Sequence, residues 1–195
     1  MSVPKLDGNT ELIIAQHMLR DLEEYLKSDV VYWHVAEPNP LGSHMPQLTI
    51  GALLEALIRA AAAQDEITPG QRQELEAACA QHDQIRAAHA ALYVGKAVHE
   101  LYSRLQAWEA DLADDSRKTK SSYAQDVRVR AKIHLLEQAL GPDVPTELRR
   151  QRAQIDLDWF EIFVPGEFVW DPRLQAAFPK DPCWWLYGHL LEEHF

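Results

Sequence analysis

The sequence predicts an all-α protein: a helical bundle with a long, possibly kinked third helix antiparallel to the fourth, closed by an irregular aromatic C-terminal clasp. Three observations predict it. Apolar residues recur at three- and four-residue spacing through most of the first 160 positions. Capping and proline signals stand where those stripes begin. Ten of the 17 aromatics fall in the last 37 residues, interrupted by Pro172, Pro179 and Pro182.

The first helix is expected over 9–28, capped by Asn9 or Thr10, with Leu12, Ala15, Leu19, Leu22 and Leu26 on one face. Residues 29–47 carry Val30 to Trp33 and then Pro38, Pro40 and Pro46. This pattern forbids regular structure but makes exposure costly, so the segment should lie against the bundle. The second helix, 49–64, has Thr49 as N-cap, a Leu48–Leu53 staple and a buried face of Leu53, Leu54, Leu57 and Ile58.

The third helix, 69–114, starts with a Thr68–Gln71 capping box and Pro69 at its first position. A straight helix of that length would span about 69 Å, whereas a chain of this size has a radius of gyration of about 16 Å. Leu75, His82, Ile85, His89 and Leu92 share one heptad register and Ala91, Val94, Val98, Leu101, Leu105 and Trp108 another. The switch lies beside Gly95 and predicts a kink, or a change of packing partner, between Ala90 and Lys96. The fourth helix, 121–140, carries a Ser122–Gln125 capping box and a Val129, Ile133, Leu136, Leu140 stripe. Gly141 and Pro142 mark its end, and the short connection before it predicts antiparallel packing on the third. A fifth helix is expected over 145–163, built on Ile155, Trp159 and Ile162, with a hairpin turning at Pro165 and Gly166 as the alternative. The clasp, 164–195, should end in a short helix around 184–193.

One domain, 1–195, fits this length and its 47% hydrophobic and 25% charged composition. No apolar run approaches the ~20 residues needed to cross a bilayer, and the N-terminus has no leader pattern, so a cytoplasmic chain with no membrane partner is expected. Cys79 and Cys183 suggest two reduced thiols rather than a disulfide or thiolate metal site. The net charge of −11 opposes a broad polyanion-binding surface. From Arg117 to Arg152, however, nine Lys or Arg face four acids, a local +5 against −16 elsewhere.

His82, His89 and His99 are the candidate metal ligands. The bundle signature Glu-x-x-His and the helix signature His-Glu-x-x-His are both absent, which favours partly buried structural histidines. The basic stretch, with Arg117, Lys118, Lys120, Arg128, Arg130, Lys132, Arg149, Arg150 and Arg152, could touch phosphates. The competing reading pairs it with Asp111 to Asp115 and with Glu23 and Glu24, within the fold or across a dimer. Nucleic acid is therefore not the expected partner. Trp184, Trp185 and Tyr187 could line a pocket or dock a partner, as aromatics do at binding hot spots. No nucleophile elbow, phosphate loop or dinucleotide fingerprint occurs, so no catalytic residue is assigned, no cofactor is implied and enzymatic activity is not expected.

The expected function is non-enzymatic protein association as a homodimer, with the third helix and its neighbour as interface. The alternatives are a small-molecule or metal site near His82, His89 and the aromatic tail, and nucleic-acid binding through 117–152.

Overall fold

Helix α1, Gly8–Lys27, begins one position before Asn9 because Asp7 is the cap. Its carboxylate accepts the Asn9 amide at 3.1 Å, and Thr10 Oγ1 donates to it at 2.6 Å, so neither Asn9 nor Thr10 caps the helix. This computed structural model describes residues 6–36, 40–113 and 122–191, with the side chains of 43, 112 and 113 also outside the description. The expected stripe from Leu12 to Leu26 is buried. The following segment is pinned by reciprocal backbone bonds between Trp33 and Leu48, 3.1 and 2.8 Å, and by the Tyr25 hydroxyl on the Val31 carbonyl. Helix α2, Ile50–Ala62, starts on Thr49, whose Oγ1 accepts the Ala52 amide at 3.1 Å, and both staple leucines, Leu48 and Leu53, are fully buried.

The expected third helix is two helices, α3 (Pro69–Ala88) and α4 (Ala90–Ala113), with the capping box at Thr68 formed as read. The break is at His89 (φ −120°, ψ 34°), just ahead of the 90–96 window, and Gly95 sits inside α4. The register switch therefore marks a change of packing partner: α3 lies on α1 and α2, whereas α4 lies on the later helices Arg128–Leu140 and Thr146–Glu161. The break also removes the need for a protruding rod.

Residues 114–121 lie outside the description, and with them Arg117, Lys118 and Lys120. The expected fourth helix is divided at Val127 into α5 (Tyr123–Asp126) and α6 (Arg128–Leu140), and the Ser122 side chain makes no cap bond, so that capping box does not form. Val127 is fully buried, and seating it there turns the chain before α6. Gly141 ends α6 at φ +55°, as its composition predicts. The start of α4 (Ala90, Tyr93) shares a groove with the end of α6 (Gln138 to Leu140), so the two run antiparallel.

Helix α7, Thr146–Glu161, is followed by strand β1, Phe163–Phe168. Pro165 and Gly166 lie inside that strand, not at a hairpin turn, and β1 pairs with β2, Tyr187–Leu190, in the register Phe163–Leu190, Val164–His189, Pro165–Gly188. A two-stranded sheet has only edge strands, where proline is tolerated. A Cβ on Gly188 would collide with the Val164 carbonyl, which explains glycine there. The short helix expected around 184–193 is replaced by a 3-10 turn, Trp184–Leu186, and β2. Between the strands the clasp covers α6: Trp185 and Phe178 are fully buried, and Trp170 Nε1 donates to the Ala124 carbonyl at 2.7 Å. Trp159 joins clasp to bundle, with ring centroids 4.4 Å from Trp108 and 5.6 Å from Trp184. Among the described residues no helix is long and apolar enough to cross a membrane.

Candidate functional site

The least expected feature is a set of charges inside the bundle. Glu55 on α2 is 2% exposed and binds Arg128 at 2.7 Å and Lys132 at 3.3 Å, both from α6. Arg59, one turn on, reaches Glu11 of α1 at 2.6 Å. Glu100 of α4 is fully buried, binds Arg104 at 2.7 Å and accepts the Gly51 amide at the start of α2. Arg104 also donates to Thr49 Oγ1 at 3.0 Å. Burial pushes the Glu55 pKa upward, but Lys132, Arg128 and Arg59 outweigh it and hold the carboxyl at about 2. Burial dominates at Glu11, raising its pKa against the pull of Arg59. These residues knit four helices together, and each charge has an opposite one beside it. Burial also lowers the Lys132 pKa, against the pull of Glu55, and the arrangement fixes which helix faces meet.

A second polar cluster joins α6 to α7. Arg130 grips Asp156 with two bonds of 2.9 Å, and Arg152 bridges Asp156 at 3.0 Å and Glu137 at 3.1 Å. His134 lies behind them against Phe178 and Trp185. Burial, then Arg130 and Arg152, lower its pKa to about 4, so the ring is neutral at pH 7. The Arg130 guanidinium stacks over Trp185 at 5.1 Å. Arg130, His134, Glu137, Arg152, Asp156, Asp181 and Trp184 line a cavity of about 430 Å³.

The sequence-derived candidates separate into different places. His82 is buried, contacts Tyr93 Oη at 3.1 Å and Asp83 at 3.2 Å, and burial lowers its pKa. His89 ends α3 and lies 3.4 Å from Glu23, and His99 is exposed on α4. Among the described residues no group of three or more His, Cys, Asp or Glu is placed to hold a metal ion. In the basic stretch, Arg128, Arg130, Lys132 and Arg152 pair with Glu55, Asp156 and Glu137, while Asp114 and Asp115, among the acids read as their counterparts, lie outside the described residues. Arg149 is tied to the Gly141 and Pro142 carbonyls at 2.8 and 3.2 Å, and Arg150 is exposed. Four of the six described basic residues of this stretch are thus paired with carboxylates inside the fold. Trp185 is core, Tyr187 packs on Phe168 at 5.0 Å, and Trp184 is half-buried at the surface.

Trp184 leads to the feature with most functional content. Leu157, Phe160 and Leu191 are 64, 62 and 57% exposed, the highest among large apolar residues described. Leu157 and Phe160 are i, i+3 neighbours on α7, Phe160 contacts Trp184 edge-on at 5.3 Å, and Trp184 contacts Phe163 at 4.9 Å, so these four share one surface. Such contiguous apolar exposure marks interaction surfaces, whereas single exposed leucines do not. Sequence reading missed Leu157 and Phe160 because attention fell on the opposite face, Ile155, Trp159 and Ile162. It missed the buried charges although each helix signals them at i, i+4 spacing: Gly51, Glu55, Arg59; Lys96, Glu100, Arg104; Arg128, Lys132.

The chain matches no protein-family model, no curated protein and no solved structure.

Proposed function

We propose that the protein acts without catalysis, by associating with another protein chain, and that it is a homodimer. The observation that carries this reading is the exposed apolar surface formed by Leu157 and Phe160 with Trp184. Sedimentation equilibrium from low to high micromolar concentration tests it. A rising mass approaching twice 22.3 kDa is expected, and a strict monomer at high micromolar concentration overturns the homodimer.

A second reading is a small-molecule site in the cavity between α6 and α7. One observation favours it: Arg130 Nη1 and His134 Nε2 are buried there without a partner. It predicts a ligand retained through purification and visible by native mass spectrometry. A bare polypeptide mass, with no change in Trp fluorescence on exhaustive dialysis, removes this reading.

A further inference from the structure

We infer that the partner on this surface is a second copy of the chain, packed α7 against α7 in antiparallel orientation about a two-fold axis. The inference rests on the association reading above and adds the element, the orientation and the contacts that select it.

The outward stripe of α7 is Arg150, Gln154, Leu157 and Glu161, at four-three-four spacing, opposite the buried stripe of Leu148, Ile155 and Trp159. Ala153 and Phe160 flank it on one side. The order along the stripe is basic, polar, apolar, acidic. Laid antiparallel on its own copy, with the axis between Gln154 and Leu157, it places Arg150 opposite the partner's Glu161 and repeats that pair at the other end. A two-fold contact requires this self-complementarity, in which residue i meets j and j meets i.

Glu161 is unfavourably placed in the isolated chain. Glu161 is the last residue of α7, and that last turn contains no basic residue, so its carboxylate faces the negative end of the helix dipole. Neither Arg150 nor Glu161 has an ion pair or hydrogen bond within the described residues. An antiparallel copy supplies a guanidinium at the helix C-terminus. Leu157 meets its own copy close to the axis, Phe160 falls beside the partner's Ala153, and Trp184 extends the apolar rim.

The contact is small. A 16-residue helix is about 24 Å long, so the pairing reaches only the lower end of stable interfaces, roughly 1,200 Å² in total. Dissociation in the micromolar range follows. The other exposed helix face, Leu92, Gly95, His99 and Tyr102 on α4, carries no such charge order.

Charge reversal tests it. Arg150→Glu and Glu161→Arg are surface changes, and unaltered circular dichroism would verify folding. Sedimentation equilibrium should show each single variant dimerising about tenfold or more weakly than wild type. An equimolar mixture of the two single variants, in which every pair is opposite again, should recover heterodimer, and the double variant should recover homodimer. Unchanged dimerisation in the singles, or no recovery in the mixture, overturns the α7 pairing while leaving the association reading intact. Wild type that is strictly monomeric at high micromolar concentration overturns both.

Discussion

Glu100 lays its carboxylate against the amide of Gly51, accepting at 3.0 and 3.2 Å, and so places a buried negative charge at the positive end of α2. The contact requires glycine. A Cβ on residue 51 would sit 2.7 Å from Glu100 Oε1 and 3.2 Å from Lys132 Cβ, and Arg104 prevents the carboxylate from swinging aside. Intrinsic propensity makes Gly→Ala in a helix favourable by up to ~1 kcal/mol. Here the sign should reverse: Gly51→Ala is expected to destabilise by about 1–3 kcal/mol in urea titrations, the cost of overpacking. A gain in stability would contradict the clamped geometry.

Glu55 should be the most sensitive charge in the molecule. Its pKa is held at about 2, below the ordinary 4.5, so its ionised form stabilises the fold. That contribution is fully present above pH 4.5 and is lost as pH falls toward 2. Glu55→Gln leaves Arg128 and Lys132 buried without their counter-charge and is expected to cost about 3–5 kcal/mol at pH 7. The variant should also lose stability less steeply on acidification. Parallel denaturation series at pH 7 and pH 3 would check both, and an equal drop in the two proteins would exclude Glu55 as a source of acid sensitivity.

His134 works in the opposite sense to a paired histidine. With its pKa lowered from 6.5 to about 4, the folded state resists a proton that the unfolded chain accepts. Stability is therefore complete above pH 6.5 and declines as pH falls toward 4, by on the order of 3 kcal/mol. His82, lowered by burial, adds to the same limb. His134→Leu keeps an apolar contact with Phe178 and Trp185 and should flatten the pH 7 to pH 5 slope seen in guanidinium unfolding. An unchanged slope would move its origin to other groups.

What the sequence made legible was local. Thr49, the Thr68–Gln71 box and Gly141 act within a few residues of themselves, and each bounds a helix where it was read. The strand pair was not legible, because the residues of Phe163–Phe168 find their partners 19 to 27 positions away and Pro165–Gly166 looks like a turn until that partner is known. The site was harder still. Glu55 and Arg128 stand 73 positions apart, and in one dimension an i, i+4 row of charges resembles a solvated helix face. Leu157 was hidden because the helix expected over 145–163 is defined by its buried stripe, Ile155, Trp159 and Ile162, and a single leucine on the other face carries no signal of its own.

The last prediction concerns Lys96, which fastens the end of α1 to the middle of the bundle. Its Nζ donates to the Ser28 and Val30 carbonyls, each at 2.8 Å, and to Ser28 Oγ at 3.2 Å, while lying 4.7 Å from the centre of the Tyr25 ring. The ammonium thus serves three acceptors at a helix C-terminus, where a cation is also favoured by the dipole. Lys96→Met fills much the same space but leaves those carbonyls unmatched, and should cost about 2–3 kcal/mol. The loss should be local first. Segment 28–36 is held to the bundle by this contact, by Tyr25 and by the Trp33–Leu48 bridge, so amide exchange at Trp33 and Leu48 should accelerate more than in α2 or α6. Lys96→Arg should rescue only in part, since a planar guanidinium cannot direct three donors to acceptors gathered around one point. If exchange instead rose uniformly through the molecule, Lys96 would be stabilising the whole bundle rather than this segment.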